Sequence, residues 1–288
     1  MKTIKKIVAF TAIAILAFSC KKENPTPPVD TVSPTPIETE GLTKVQDISN
    51  DTHTIELFTK SGDFKIGHNA LFVRVKNNTS QAHENTVNIV VNPMMHMTAM
   101  QHSCPVSSFT KTANKTSLYD GFVIFQMASN ATEYWELTID YEIAGVNYTA
   151  TEKVVVSNVE KRRVTTFTGT DSVKYILAFV NPSSPKVGIN DMQAMLYKME
   201  NMTSFSPVNG FHVKIDPRMP SMGNHGSPNN VDLIQTDNVG MYNGKLSLTM
   251  TGYWKINLQV LDANHDVLKG EEITSSVTES SIFFEVEF

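Results

Sequence analysis

The chain repeats itself. "KIGHNALFVRV" (Lys65 to Val75) aligns with "KVGINDMQAML" (Lys186 to Leu196) through a shared Lys-x-Gly-x-Asn. "VNIVVNP", ending at Pro93, aligns with "FHVKIDP", ending at Pro217. "YDGFVIFQM" (Tyr119 to Met127) aligns with "YNGKLSLTM" (Tyr242 to Met250), and "EYWELTIDY" (Glu133 to Tyr141) with "GYWKINLQV" (Gly252 to Val260). The order is kept, and the offsets of 121, 124, 123 and 119 residues differ only by short loop insertions. The two tryptophans of the chain, Trp135 and Trp254, fall at equivalent places. A pattern written twice in this length must describe a small domain.

Every matched block reads as a strand. Leu71, Val73 and Val75 share one face, as do Trp135, Leu137 and Ile139, and again Trp254, Ile256 and Leu258. Strict alternation between Gly, Asn and Asp turn signals is the mark of a half-buried strand. Met192, Met195, Met199 and Met202 have helical spacing, but the repeat sets them opposite the strand-like run at Leu71 and so predicts a strand. Many short strands at close spacing predict an all-β fold of two tandem immunoglobulin-like β-sandwiches. The first is expected over 51–158 and the second over 159–288, with "VEKRR" at the junction and "SSIFFEVEF" as the final strand.

The N-terminus predicts location. Lys2, Lys5 and Lys6 precede an apolar run from Ile7 to Phe18, too short to span a bilayer as a helix but long enough for a signal-peptide core. "LAFSC" resembles a bacterial lipoprotein signal, which implies a signal peptide over 1–19 and lipidation of Cys20. Residues 20–50 are rich in Pro, Thr and acids and poor in large apolar side chains, the composition of a disordered tether. Removing 1–19 takes away three of 24 Lys/Arg and none of 29 Asp/Glu, leaving a net charge near −8. That balance argues against nucleic acid as a partner. With Cys20 lipidated, Cys104 has no cysteine to pair with in its own chain.

Two segments carry chemistry. "PMMHMTAMQHSCP" spans Pro93 to Pro105, and "PRMPSMGNHGSP" spans Pro217 to Pro228. Each follows a strand and a proline, so both are expected to leave the sheet as loops. The first offers Met94, Met95, His96, Met97, Met100, His102 and Cys104; the second offers Met219, Met222 and His225. Thioether and thiolate are soft donors that select Cu(I), and imidazole suits copper in either oxidation state. Hard ions want oxygen clusters that neither loop supplies. The competing reading is that methionine is flexible core filler, as Met127 and Met250 are within strands. His68, beside a turn glycine, reads as a solvated side chain.

At "KVGIND", "PRMPSMGNHG" and "GYWKINLQV", in that order, the chain resembles the YtkA-like domain family, related in pattern to FixH-type proteins. The resemblance covers most of 164–265. It implies an extracytoplasmic β-sandwich that handles copper, with Met219, Met222 and His225 as ligands and Met95, Met100 and His102 as their counterparts. The first segment departs from the family: His96 stands where the second has Pro220, and the glycine after the second methionine is missing. The expectation is a lipid-anchored envelope protein that takes up to two Cu(I) ions for capture or transfer to a membrane oxidase or efflux pump. The alternative is a non-catalytic sandwich that presents a surface to a partner. No nucleophile-base arrangement, acid pair or phosphate-binding loop points to an enzyme.

Overall fold

A computed structural model describes residues 37–236 and 240–288. The expected signal peptide, the lipidation site at Cys20 and the first part of the tether lie outside the described residues. The strands of the first half are β1 (Thr43–Ser49), β2 (His53–Thr59), β3 (Phe64–Lys65), β4 (Gly67–Asn77), β5 (Asn88–His96), β6 (Gln101–His102), β7 (Thr110–Lys111), β8 (Tyr119–Phe125), β9 (Tyr134–Ile143), β10 (Val146–Val154) and β11 (Val156–Ser157). The second half contributes β12 (Val164–Thr168), β13 (Lys174–Asn181), β14 (Gly188–Asn201), β15 (Ser204–Pro207), β16 (His212–Met219), β17 (His225–Gly226), β18 (Val231–Gln235), β19 (Met241–Leu248), β20 (Tyr253–Leu261), β21 (Val267–Lys269) and β22 (Phe283–Glu287). The fold is all-β, as expected.

In the first half a sheet β1-β2-β4-β8-β7 faces a sheet β10-β9-β5-β6 across a core that holds Ile55, Leu71, Val73, Trp135, Leu137 and Ile139. The second half repeats the order as β12-β13-β14-β19 and β17-β16-β20. There β18 pairs with both β19 and β16 and joins the two layers into one continuous sheet. The β1 strand corrects the tether boundary at residue 50: Thr43–Ser49 pairs antiparallel with β2 and belongs to the folded unit. Its Ile48 is fully enclosed, an apolar anchor that composition alone outweighed.

The repeated motifs have structural causes. Asn69 takes the Lys65 N–H at 2.9 Å and donates to the carbonyls of Lys65 and Gly67. Asn190 does the same with Lys186 and Gly188. The glycine between them sits at φ 104° in one half and 113° in the other, a region side-chain-bearing residues avoid. That turn is why Lys-x-Gly-x-Asn occurs twice. Both tryptophans are fully buried, and each indole donates to a methionine carbonyl, Trp135 to Met127 at 2.9 Å and Trp254 to Met250 at 3.0 Å.

Among the described residues no strand of 43–157 pairs with a strand of 164–287. The halves instead meet through packed side chains and a main-chain hydrogen bond from Ser103 N–H to Met202 O. Phe122 and Ile124 of β8 pack against Ile176, Ala178, Met195 and Tyr197 of β13 and β14. His68 leans on Phe122 with ring centroids 5.1 Å apart, and burial holds its pKa down to about 4. It is not the solvated side chain that its place beside a turn glycine suggested.

Candidate metal centre

The two prolines do not open loops. Pro93 lies inside β5, in register with Leu137, and Pro217 lies inside β16, in register with Ile256. Among the described residues, each stands where its strand has no neighbour on the second side. β6 pairs only with Met95 and His96; β17 pairs only with Arg218 and Met219, and β18 only with His212 and Val213. A missing N–H costs nothing in such a gap. The strands therefore run on past proline, and their period of two continues. Val91, Pro93 and Met95 are buried in turn, as are Ile215, Pro217 and Met219.

This continuation corrects the expected ligand sets. Met95 and Met219 are core residues whose thioethers are engaged in packing. In the second segment Met219 turns inward, while Met222, 54% exposed in the short 3-10 turn Pro220–Met222, and His225 face solvent. Met219 is thus enclosed while the other two expected donors are exposed, although His225 is its cross-strand partner. Cys104 is enclosed in the first core, and burial pushes its thiol well above the usual range. Thiol, not thiolate, is the form held there, which is not a metal ligand. His96 stacks on Tyr134 at 4.8 Å and takes a hydrogen bond from Gln101 Nε2 at 3.0 Å on its Nδ1. Its Nε2 is enclosed and lies 3.3 Å from Glu136 Oε1, out of line for a hydrogen bond.

The remaining donors of the first segment share one cavity. The hairpin between β5 and β6 closes with Met97 N–H on Met100 O at 3.0 Å. Met97, Met100 and His102 line one cavity of about 300 Å³, together with Met127, Met199 and Met202. His102 is 9% exposed, and its ring meets Trp135 edge-on at 5.5 Å. Its Nδ1 lies 2.8 Å from the Ser103 carbonyl, which can only accept, so Nδ1 carries the proton. In the tautomer with that proton the lone pair lies on Nε2, which makes no hydrogen bond to the described residues. A ligating histidine is commonly oriented by a carbonyl on its other nitrogen in this way.

Among the described residues no three His, Cys, Asp or Glu side chains are placed to hold an ion together. A donor set here has to draw on methionine sulfur. The cavity's one permanent charge is the ammonium of Lys174. Its wall thus offers sulfur and imidazole donation rather than negative charge, which disfavours hard divalent ions.

Sequence reasoning did not reach Met127, Met199 or Met202. Met127 was assigned to the core, and its carbonyl does hold the Trp135 indole. Met199 and Met202 stand out in the sequence only by their spacing. Met199 lies near the end of β14 and Met202 in the turn to β15. Both lie beyond the matched block, which ends at Leu196, and neither the repeat nor their spacing marks them as neighbours of His102.

No family model matches the chain, and no curated protein matches it. Among solved structures the chain is similar to FdeC, described as a broadly conserved Escherichia coli adhesin, at 15% identity and a TM-score of 0.26. The match covers 77% of this chain and 64% of that one, and at that TM-score it carries nothing about function.

Proposed function

We propose that this is a non-catalytic, lipid-anchored protein of the bacterial cell envelope that binds Cu(I). It would capture the ion outside the cytoplasm or pass it to a membrane oxidase or efflux pump. The observation that carries the reading is the placement of Met97, Met100 and His102 on one cavity, with the imidazole oriented by the Ser103 carbonyl. Thioethers are neutral and compete with no proton, so they hold a soft monovalent ion without the tightness of a thiolate cluster. The extracytoplasmic placement rests on the lipoprotein-like N-terminus and on the resemblance to YtkA-like domains.

Titration of the mature chain with Cu(I), against a competing Cu(I) chelator, tests the reading. One ion per chain is expected, not the two that the repeat suggests. Met100→Leu with His102→Gln is expected to lower the affinity by more than about tenfold. A wild-type chain that leaves all Cu(I) with a weak chelator would end the copper reading.

A second reading has its own observation. On the second half, a groove of about 770 Å³ runs over β14, β18 and β19 and exposes Ile189, Val231 and Ile234 beside an amide ladder from Asn181 through Gln193 to Asn243. This is the register equivalent of the β4–β8 face on which the first half receives the second. A free face of that kind suits an interaction module of the envelope.

A further inference from the structure

The cavity has two walls, and they come from different halves of the repeat. Met97, Met100, His102 and Met127 belong to the first half, and Met199 and Met202 to the second. Met202 keeps its side chain 40% exposed rather than turning it into a core, although it is a large apolar residue. Its backbone is fixed at the same spot. The Ser103 N–H donates to the Met202 carbonyl at 2.8 Å, a hydrogen bond across the junction one residue beyond His102. The Met202 turn is itself held by Asn201, whose side chain takes the Thr203 N–H at 2.9 Å. Backbone contact, imidazole and thioethers therefore meet within a few residues on either side of one seam. Crevices between packed units are where ligand sites form most readily, because two surfaces can supply converging groups.

Resting on the Cu(I) reading above, we infer that one soft ion is held across this seam, by His102 with Met97 or Met100 on one side and by Met199 with Met202 on the other. Binding the ion and docking the halves are then a single linked equilibrium. A ligand that binds only the docked arrangement stabilises it by mass action, in proportion to the logarithm of its concentration over its Kd. The second half does not repeat the arrangement: among the described residues His225 is exposed, Met219 is core, and the segment is met by the Thr278 carbonyl on Asn224 rather than by a methionine turn. The inference therefore fixes the stoichiometry at one and makes the ion a clasp between the halves.

The experiment uses the full mature chain and Ag(I), a redox-inert probe for Cu(I). The variant is Met199→Leu with Met202→Leu, which leaves every donor of the first half in place. Leucine is close to methionine in volume, so the metal-free melting temperature is expected to stay near that of the wild type. The expected result is a loss of Ag(I) affinity of more than about tenfold. Ag(I) is also expected to raise the melting temperature of the wild type and slow exchange of the Ser103 amide, and to do neither in the variant. Should the double variant misfold, Met202→Leu alone, at a partly exposed position, carries the same test. Wild-type Ag(I) affinity in the variant, with loss in His102→Gln, would overturn the inference and assign the ion to the first half, leaving the copper reading standing. A wild-type chain that binds no Ag(I) would remove both.

Discussion

The two methionine segments occupy the same place in the two halves and end up with different chemistry. Met95 and Met219 each follow a proline by two residues, each is core, and each pairs across a two-residue strand with a histidine, His102 and His225. There the likeness stops. His102 is buried and lines a cavity with five methionines, whereas His225 is exposed. The difference lies outside both segments: the turn at Met202 meets the first, while among the described residues the second is met by the Thr278 carbonyl. His68 and Ile189 teach the same lesson at the next pair of equivalent positions. His68 is held against Phe122 at the junction, while Ile189 stands 56% exposed in the free groove. A duplicated strand thus keeps its inward face and takes its outward chemistry from whatever covers it.

The largest expected effect attacks the shared part of this comparison. Met95→Ala and Met219→Ala each remove a core side chain, and each should cost about 2–5 kcal/mol in denaturant unfolding. The two costs are expected to be alike. A cost below about 1 kcal/mol at Met219 alone would mean its thioether does not pack as Met95 does, and would break the equivalence.

Acid tests the covered face next. Burial lowers the His68 pKa to about 4, below the ordinary value near 6.5 of an unfolded chain. The unfolded state therefore takes up a proton first as pH falls. The stability tied to neutral His68 is complete above about pH 6.5 and is lost as the pH drops towards 4, by about 3 kcal/mol at most. His68→Gln should flatten the unfolding free energy over that window. Ile189→His, at the uncovered equivalent, should add no comparable slope. Equal slopes from the two histidines would show that the junction does not desolvate the first.

These effects also mark what was legible in the sequence. The strands, the sandwich, the duplication and the core faces around Trp135 and Trp254 follow from period-two alternation and turn residues, and those are local. The same alternation, carried two residues past each proline, would have placed Met95 and Met219 in the core. Reading proline as a strand end hid that, because whether a strand has a neighbour on its second side depends on pairing between distant segments. The β1 strand was missed because its burial pattern has few enclosed positions to set against a polar composition. Met199 and Met202 were out of reach for a third reason. Their meeting with His102 depends on how one half docks on the other, and no repeat or spacing within a half encodes that.

The smallest expected effect is also the most pointed, because the prediction is no change. Met222→Leu with His225→Gln alters two exposed side chains beyond the end of β16. Exposed substitutions away from caps and buried networks usually shift stability by no more than about 0.5 kcal/mol. His225 is exposed, and Met219, its cross-strand partner, packs in the second core. The variant should therefore keep both the Ag(I) stoichiometry and the affinity of the wild type. The family resemblance makes the opposite forecast, since it assigns Met219, Met222 and His225 as ligands. A loss of affinity as large as that of His102→Gln would restore the second segment as a metal site. It would also require Met219 to leave the core on binding, a rearrangement that its alanine variant would expose as an unexpectedly small cost in the metal-free chain.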